Sequence, residues 1–219
     1  MLRAIGGLLL LLLAHLLGAD GVTKVNVTIF YESRCPYCTM FLREQFSPYW
    51  IPLQYNLNLK LVPYGKCALN KIMTCAIKHF PGYNDVVPFV LCLQHGSPEM
   101  LDFCAGPLPV DHARLKTCVD GDEGDQLLTE MYHETEQLID ELKARNEKFY
   151  IPSIVFDGNL KVGADTKFGR EVCRRLTVAE QNNLCDWYEC NGQVQRPKVL
   201  FAVLVLVVVA GLKSMSLLS

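Results

Sequence analysis

Cys35 and Cys38 bracket Pro36 and Tyr37 directly after Val25-Asn26-Val27-Thr28-Ile29-Phe30-Tyr31, a run whose β-branched and aromatic residues predict a strand. The residues that follow, Met40-Phe41-Leu42-Arg43-Glu44-Gln45-Phe46, suit a helix with an apolar stripe. A cysteine where a strand turns into a helix faces unpaired N–H groups and the positive end of the helix dipole, which favour its thiolate. The thiolate attacks disulfides, and a second cysteine three residues on can close the resulting mixed disulfide. The spacing therefore points to thiol–disulfide exchange, with Cys35 and Cys38 as the reacting pair. A zinc site would need a second closely spaced pair, and the chain has no other C-x-x-C. No metal is expected.

The elements that must position this pair follow in order. The dithiol helix is expected to run to about Tyr49, bounded by Pro48 and Pro52. Leu57-Asn58-Leu59-Lys60-Leu61-Val62 alternates as a second strand, closed by Pro63-Tyr64-Gly65. Helical pieces carry the cysteines from Cys67 to Cys118. Leu127, Leu128, Met131, Tyr132, Thr135, Leu138, Ile139 and Leu142 then recur at helical spacing. Ile151-Pro152-Ser153-Ile154-Val155-Phe156 reads as a strand entered through a proline. A turn at Asp157-Gly158-Asn159 leads into Leu160-Lys161-Val162, and a last helix covers about Asp165 to Leu176. This order predicts an α/β chain of thioredoxin-like plan, with a helical insertion at about 66–148, between the second strand and the proline strand. From the residues alone Pro152 is a trans proline opening an edge strand. The thioredoxin-like plan instead makes it cis and sets it against the dithiol, with Ile151 offering its backbone to a substrate chain.

Composition sets the compartment. Arg3, the leucine run Leu8 to Leu13 and Ala19-Asp20-Gly21 have the pattern of a secretory signal peptide over 1–21. That route suits the ten cysteines of the 219-residue chain, eight of them outside the dithiol. Cys67, Cys75, Cys92, Cys104, Cys118, Cys173, Cys185 and Cys190 are candidates for structural disulfides, their connectivity open. Asn26-Val27-Thr28 is a glycosylation sequon with Asn26 as acceptor, although early strand formation competes with its use. The globular domain is expected over 22–190 and a polar linker over 191–198. The tail at 199–219 is aliphatic apart from Lys213 and a few hydroxyl residues, and it reads as a membrane anchor or a lipid-anchor signal. A net charge of −2 with scattered lysines excludes an electrostatic nucleic-acid binder. His79, His95, His112 and His133 are expected to be exposed or in loops. Arg34 could favour the Cys35 thiolate, with a solvated charge the plainer reading.

The chain resembles the gamma-interferon-inducible lysosomal thiol reductase family. The similarity runs through Val25-Asn26-Val27-Thr28 before the dithiol and Leu61-Val62-Pro63-Tyr64-Gly65 after strand two. It continues through Cys118-Val119-Asp120-Gly121-Asp122-Glu123-Gly124 with Gln126-Leu127, Tyr150-Ile151-Pro152 with Asp157-Gly158, and the pairs Val172-Cys173 and Leu184-Cys185. Cys67-Ala68-Leu69-Asn70 followed by Cys75 matches the second half of the signature C-Q-H-G-x2-E-C-x2-N-x4-C. The first half is missing between Gly65 and Cys67, and Gln94-His95-Gly96 lies too far on to replace it.

The resemblance implies reduction of protein disulfides, with Pro36, Tyr37, Ile151 and Pro152 against the substrate. It also implies a lysosomal or endosomal setting at acidic pH; otherwise the secretory route leads outside the cell. The electron donor would be an external small-molecule thiol or a reductase, with no bound cofactor. An oxidase or isomerase uses the same residues, the direction being set by reduction potential. Pro36-Tyr37 also occurs in glutaredoxins, from which the signal sequence and cysteine content separate this chain. A membrane-anchored binding protein with a permanent Cys35–Cys38 bond is the reading from another class.

Overall fold

Alternation along β1 (Val25–Tyr31) buries Val25, Val27, Ile29 and Tyr31 on one face and leaves Asn26 exposed on the other. The computed structural model describes residues 21–185. Residues 1–20 of the expected signal segment at 1–21, Cys190, the expected linker at 191–198 and the apolar tail at 199–219 lie outside the described residues. Among the described residues no helix is long and apolar enough to cross a membrane.

β1 continues into α1 (Pro36–Met40), a π-helical turn (Phe41–Phe46) and α2 (Ser47–Leu53), and then β2 (Leu57–Pro63). Five helices follow: α3 (Ala68–His79), α4 (Tyr83–Leu93), α5 (Leu101–Ala105), α6 (His112–Asp120) and α7 (Asp122–Ala144). The chain returns through β3 (Ser153–Phe156) and β4 (Asn159–Leu160) and ends in α8 (Phe168–Cys173) and α9 (Val178–Leu184). The sheet order is β2-β1-β3-β4, with β1 parallel to β2 and the other pairings antiparallel. A parallel pair needs a crossover, supplied by the dithiol helix. This is the thioredoxin-like plan, with α3 to α7 inserted between β2 and β3.

One face of the sheet carries the main core, where Phe41, Phe46, Trp50, Phe156 and Phe168 pack ring against ring. Each such ring contributes about 1.5–3 kcal/mol by leaving water. On the other face Phe30, Val62 and Val155 meet Leu138 and Leu142 of α7. The turn between β3 and β4 is the dipeptide Asp157-Gly158, both at positive φ (49° and 80°), the pattern that matches the twist of a two-residue hairpin.

Two sequence expectations are corrected. The helix does not end at Tyr49: Pro48 falls in the first turn of α2, where a missing N–H costs nothing, and the run continues through Pro52 to Leu53. The π-helical turn absorbs the change of register, Ser47 N–H reaching back to the Leu42 carbonyl. β4 stops at Leu160, leaving Lys161 outside the strand and Val162 exposed. The disulfides among the described residues are Cys75–Cys118, Cys92–Cys104 and Cys173–Cys185; Cys67 is exposed and bonded to none of these cysteines, and Cys190 lies outside the described residues. α9 lies beyond the span expected for the last helix.

The added helix is fixed by polar bonds rather than by an apolar stripe. Glu180 and Thr177 form a capping box, and the Glu180 carboxylate also accepts the Thr23 N–H (2.8 Å) and the Asn56 amide (2.9 Å). Partial burial opposes its ionisation, but hydrogen bonds from Thr23 and Thr177 win and hold its pKa at about 2 instead of 4.5. Because the folded value is the lower one, these bonds stabilise the fold fully above about 4.5 and are lost as pH falls towards 2. The urea-midpoint gap between the parent and Glu180→Gln should hold from neutral to mildly acidic pH and shrink below that. A gap that widens on acidification would contradict this.

Candidate active site

The strand ends and the dithiol begins within four residues. A turn over Glu32 to Cys35 is closed by the Cys35 N–H on the Glu32 carbonyl, a long bond at 3.4 Å. Its third residue, Arg34, has φ 62°, unusual for a residue with a Cβ. Cys35 is extended (φ −66°, ψ 122°) and caps α1, with Pro36 in the first turn. Its sulfur accepts the Cys38 N–H at 3.4 Å, the capping contact of the helix. The Cys35 carbonyl accepts both the N–H (2.9 Å) and the hydroxyl (3.0 Å) of Thr39.

The two sulfurs differ in environment. Cys35 is half-buried, whereas Cys38 is fully buried beneath it, its sulfur accepting the Glu32 N–H at 3.4 Å. Burial pushes the Cys38 thiol far above its usual range; the Glu32 N–H opposes this, and Cys35 and the Glu32 carboxylate reinforce it. Cys38 is therefore held as a thiol. Pro36 and Tyr37 are exposed at the mouth, Tyr37 with 69 % of its surface free.

The Ile151–Pro152 peptide is cis, so the plan-based expectation prevails over the reading from residues alone. Ser153 pairs with Phe30, which brings Pro152 beside Tyr31, at the end of the sheet where the dithiol starts. Ile151 is half-buried and Pro152 buried. Cys35, Cys38, Pro36, Tyr37, Ile151 and Pro152 thus gather at one end of β1. Asn26 lies at the other end, exposed, its side chain bonded to Asn58 and Asp157.

Other polar residues divide differently. His95, His112 and His133 are exposed as expected, but His79 is not: it ends α3 half-buried against Glu123 (3.0 Å). His79, Cys118 and Glu123 converge, yet the Cys118 sulfur is bonded to Cys75 and has no thiolate to give a metal. The Arg34 side chain is exposed, and the residue acts here through its backbone, whose N–H reaches the Gln94 carbonyl. Sequence reasoning missed Gln94. It is 1 % exposed and donates to the Glu32 carbonyl at 2.8 Å, directly behind the dithiol turn. Asn70, seen in the sequence only as part of the half signature, accepts the Ser33 N–H at 2.9 Å and is wholly buried. Only a polar residue closing the apolar run of α4 could have flagged Gln94, and a linear spacing does not say what it faces.

The family model described as gamma interferon inducible lysosomal thiol reductase matches residues 26–68, a stretch holding the strand, the dithiol and Cys67. A gamma-interferon-inducible lysosomal thiol reductase-like protein of Anopheles gambiae is 29% identical over 210 residues, covering 77% of this chain and 84% of the relative. The gamma-interferon-inducible lysosomal thiol reductase of Carassius auratus is 30% identical over 160 residues, covering 62% and 61%. Among solved structures, DsbA of Chlamydia trachomatis superposes with a TM-score of 0.52 at 15% identity over 71% of this chain and 88% of its own. That likeness is one of fold, and it confirms the α/β thioredoxin-like reading. With its dithiol on this fold, the chain is similar to the gamma interferon inducible lysosomal thiol reductase family.

Proposed function

We propose that the chain is a thiol–disulfide oxidoreductase that reduces protein disulfides in the secretory and lysosomal route. The observation that carries this reading is the asymmetric dithiol: a half-buried Cys35 capping a helix and a fully buried Cys38 held as a thiol beneath it. The Cys35 thiolate attacks one sulfur of the substrate disulfide, and the other sulfur departs as thiolate and takes up a proton. Cys38 then loses its proton and attacks the Cys35 sulfur. The substrate leaves as a second thiol, reduced by the two electrons that the dithiol gives up as it is oxidised to the Cys35–Cys38 disulfide. An external thiol or reductase returns the pair to the dithiol. Pro36, Tyr37 and the Ile151–Pro152 edge are where the substrate chain would lie, in an extended path along the end of the sheet.

The names of the relatives support a lysosomal destination, and the sequence supports a signal peptide, glycosylation at Asn26 and attachment through the tail. The test is reduction of a denatured, disulfide-bonded protein by the purified domain at about pH 5 and about pH 7, beside Cys35→Ser. Acidic activity lost in Cys35→Ser supports the lysosomal reductase. Activity confined to neutral pH moves the site of action to the early secretory pathway. Inactivity at both, with a Cys35–Cys38 bond that resists mild reductant, overturns the reading in favour of a binding protein.

A further inference from the structure

The turn that presents Cys35 is not held by its own bond. Arg34 sits at φ 62°, a region that L-residues with a Cβ enter at a cost, and the closing contact from Cys35 N–H to the Glu32 carbonyl is 3.4 Å. Such a conformation persists only where its surroundings over-determine it. Here one residue of the helical insertion grips the turn at two points, the Glu32 carbonyl and the Arg34 N–H. Gln94 accepts the Arg34 N–H on its main-chain oxygen at 2.9 Å and donates its side-chain amide to the Glu32 carbonyl at 2.8 Å. The same amide lies 3.4 Å from the Thr39 hydroxyl, which itself donates to the Cys35 carbonyl. Glu32 touches both sulfurs' residues, through its N–H to Cys38 Sγ and its carbonyl to Cys35 N–H. The amide's Oε1 is buried with no hydrogen-bond partner, so its donors and not its oxygen fix its orientation. The Cys92–Cys104 disulfide, two residues before Gln94, staples this end of α4 to α5.

We propose that Gln94 is a positioning residue for the dithiol, holding Arg34 in its left-handed conformation so that Cys35 caps α1 with its sulfur towards the substrate. The proposal rests on the exchange reading of Cys35 and makes the helical insertion a working part of the site.

The test reads Cys35 directly, by mass-spectrometric alkylation of the reduced chain across pH, with no substrate present. Gln94→Met keeps the length of the side chain and removes its donors. It should slow Cys35 alkylation about tenfold. In an Arg34→Gly background the same substitution should cost less than about twofold, because glycine adopts positive φ without a clamp. An unchanged alkylation profile in Gln94→Met, or an equal loss in both backgrounds, overturns the proposal; the second result would mark Gln94 as a packing residue only. Should Gln94→Met fail to fold, Gln94→Leu, apolar and without side-chain donors, carries the same comparison. The two readings separate cleanly. A parent chain that reduces no protein disulfide but shows the background-dependent loss overturns the reductase and keeps the positioning role. An active parent with no effect of Gln94→Met overturns only the latter.

Discussion

A Cys38→Ser chain, given a disulfide-bonded protein, is expected to stop at the mixed disulfide. Cys35 still reaches the substrate because it is half-buried and its cap on α1 survives, the Cys38 contact to its sulfur being made by a backbone N–H that serine also has. The release step is lost with the buried thiol. A covalent adduct of substrate and chain should accumulate in stoichiometric amount, visible without reductant and dissolved by it, while turnover falls on the order of 10³-fold. The burial that keeps Cys38 protonated makes this a clean trap, since a buried hydroxyl is no competing nucleophile. Undiminished turnover, or an adduct through Cys67, which is the exposed thiol among the described residues, would refute the assignment of roles.

The second large effect is on stability. Cys75–Cys118 joins α3 to α6 across 43 residues, while Cys92–Cys104 and Cys173–Cys185 each span 12. By the loop-entropy estimate, removing the long link costs about 4 kcal/mol and either short one about 3 kcal/mol. A Cys75→Ala/Cys118→Ala double variant should therefore lose more in urea midpoint than a Cys173→Ala/Cys185→Ala variant, with the dithiol chemistry intact where the fold survives. Equal losses would show that chain entropy is not the governing term. Cys75 and Cys118 are fully buried and Cys104, Cys173 and Cys185 nearly so, which keeps these bonds away from the thiols the proposed reaction handles.

The pairing also separates the two cysteines of the half signature. Cys67 and Cys75 stand together in the sequence motif, but they are the cap and the third turn of α3, and they face different surroundings. Cys75 points into the core and meets Cys118, while Cys67 stays exposed, 4.0 Å from the Glu32 carboxylate. The sequence does not display which cysteine lies on which side of a helix until the helix has something to pack against. The same blindness affected the end of the dithiol helix. Proline rules stop a helix at Tyr49 only if the helix is regular, and the π-helical turn ahead of Ser47 lets Pro48 start a new one.

By itself the sequence determined the local features whose causes are local. Cys35 and Cys38 follow a β-branched run, the long helix repeats its leucines at helical spacing, and Asp157-Gly158 must turn because few other dipeptides tolerate two positive φ angles. The order of those elements was enough to give the thioredoxin-like plan and to set Pro152 against the dithiol. Only the tertiary structure decided what lies behind the turn. Gln94 is some sixty positions from Glu32 and Asn70 nearly forty from Ser33, and neither separation has a period that a helix or a strand would mark. Both are polar residues buried because their partners are main-chain groups of a strained turn, and such partners exist only once the helical insertion has closed over the end of the sheet.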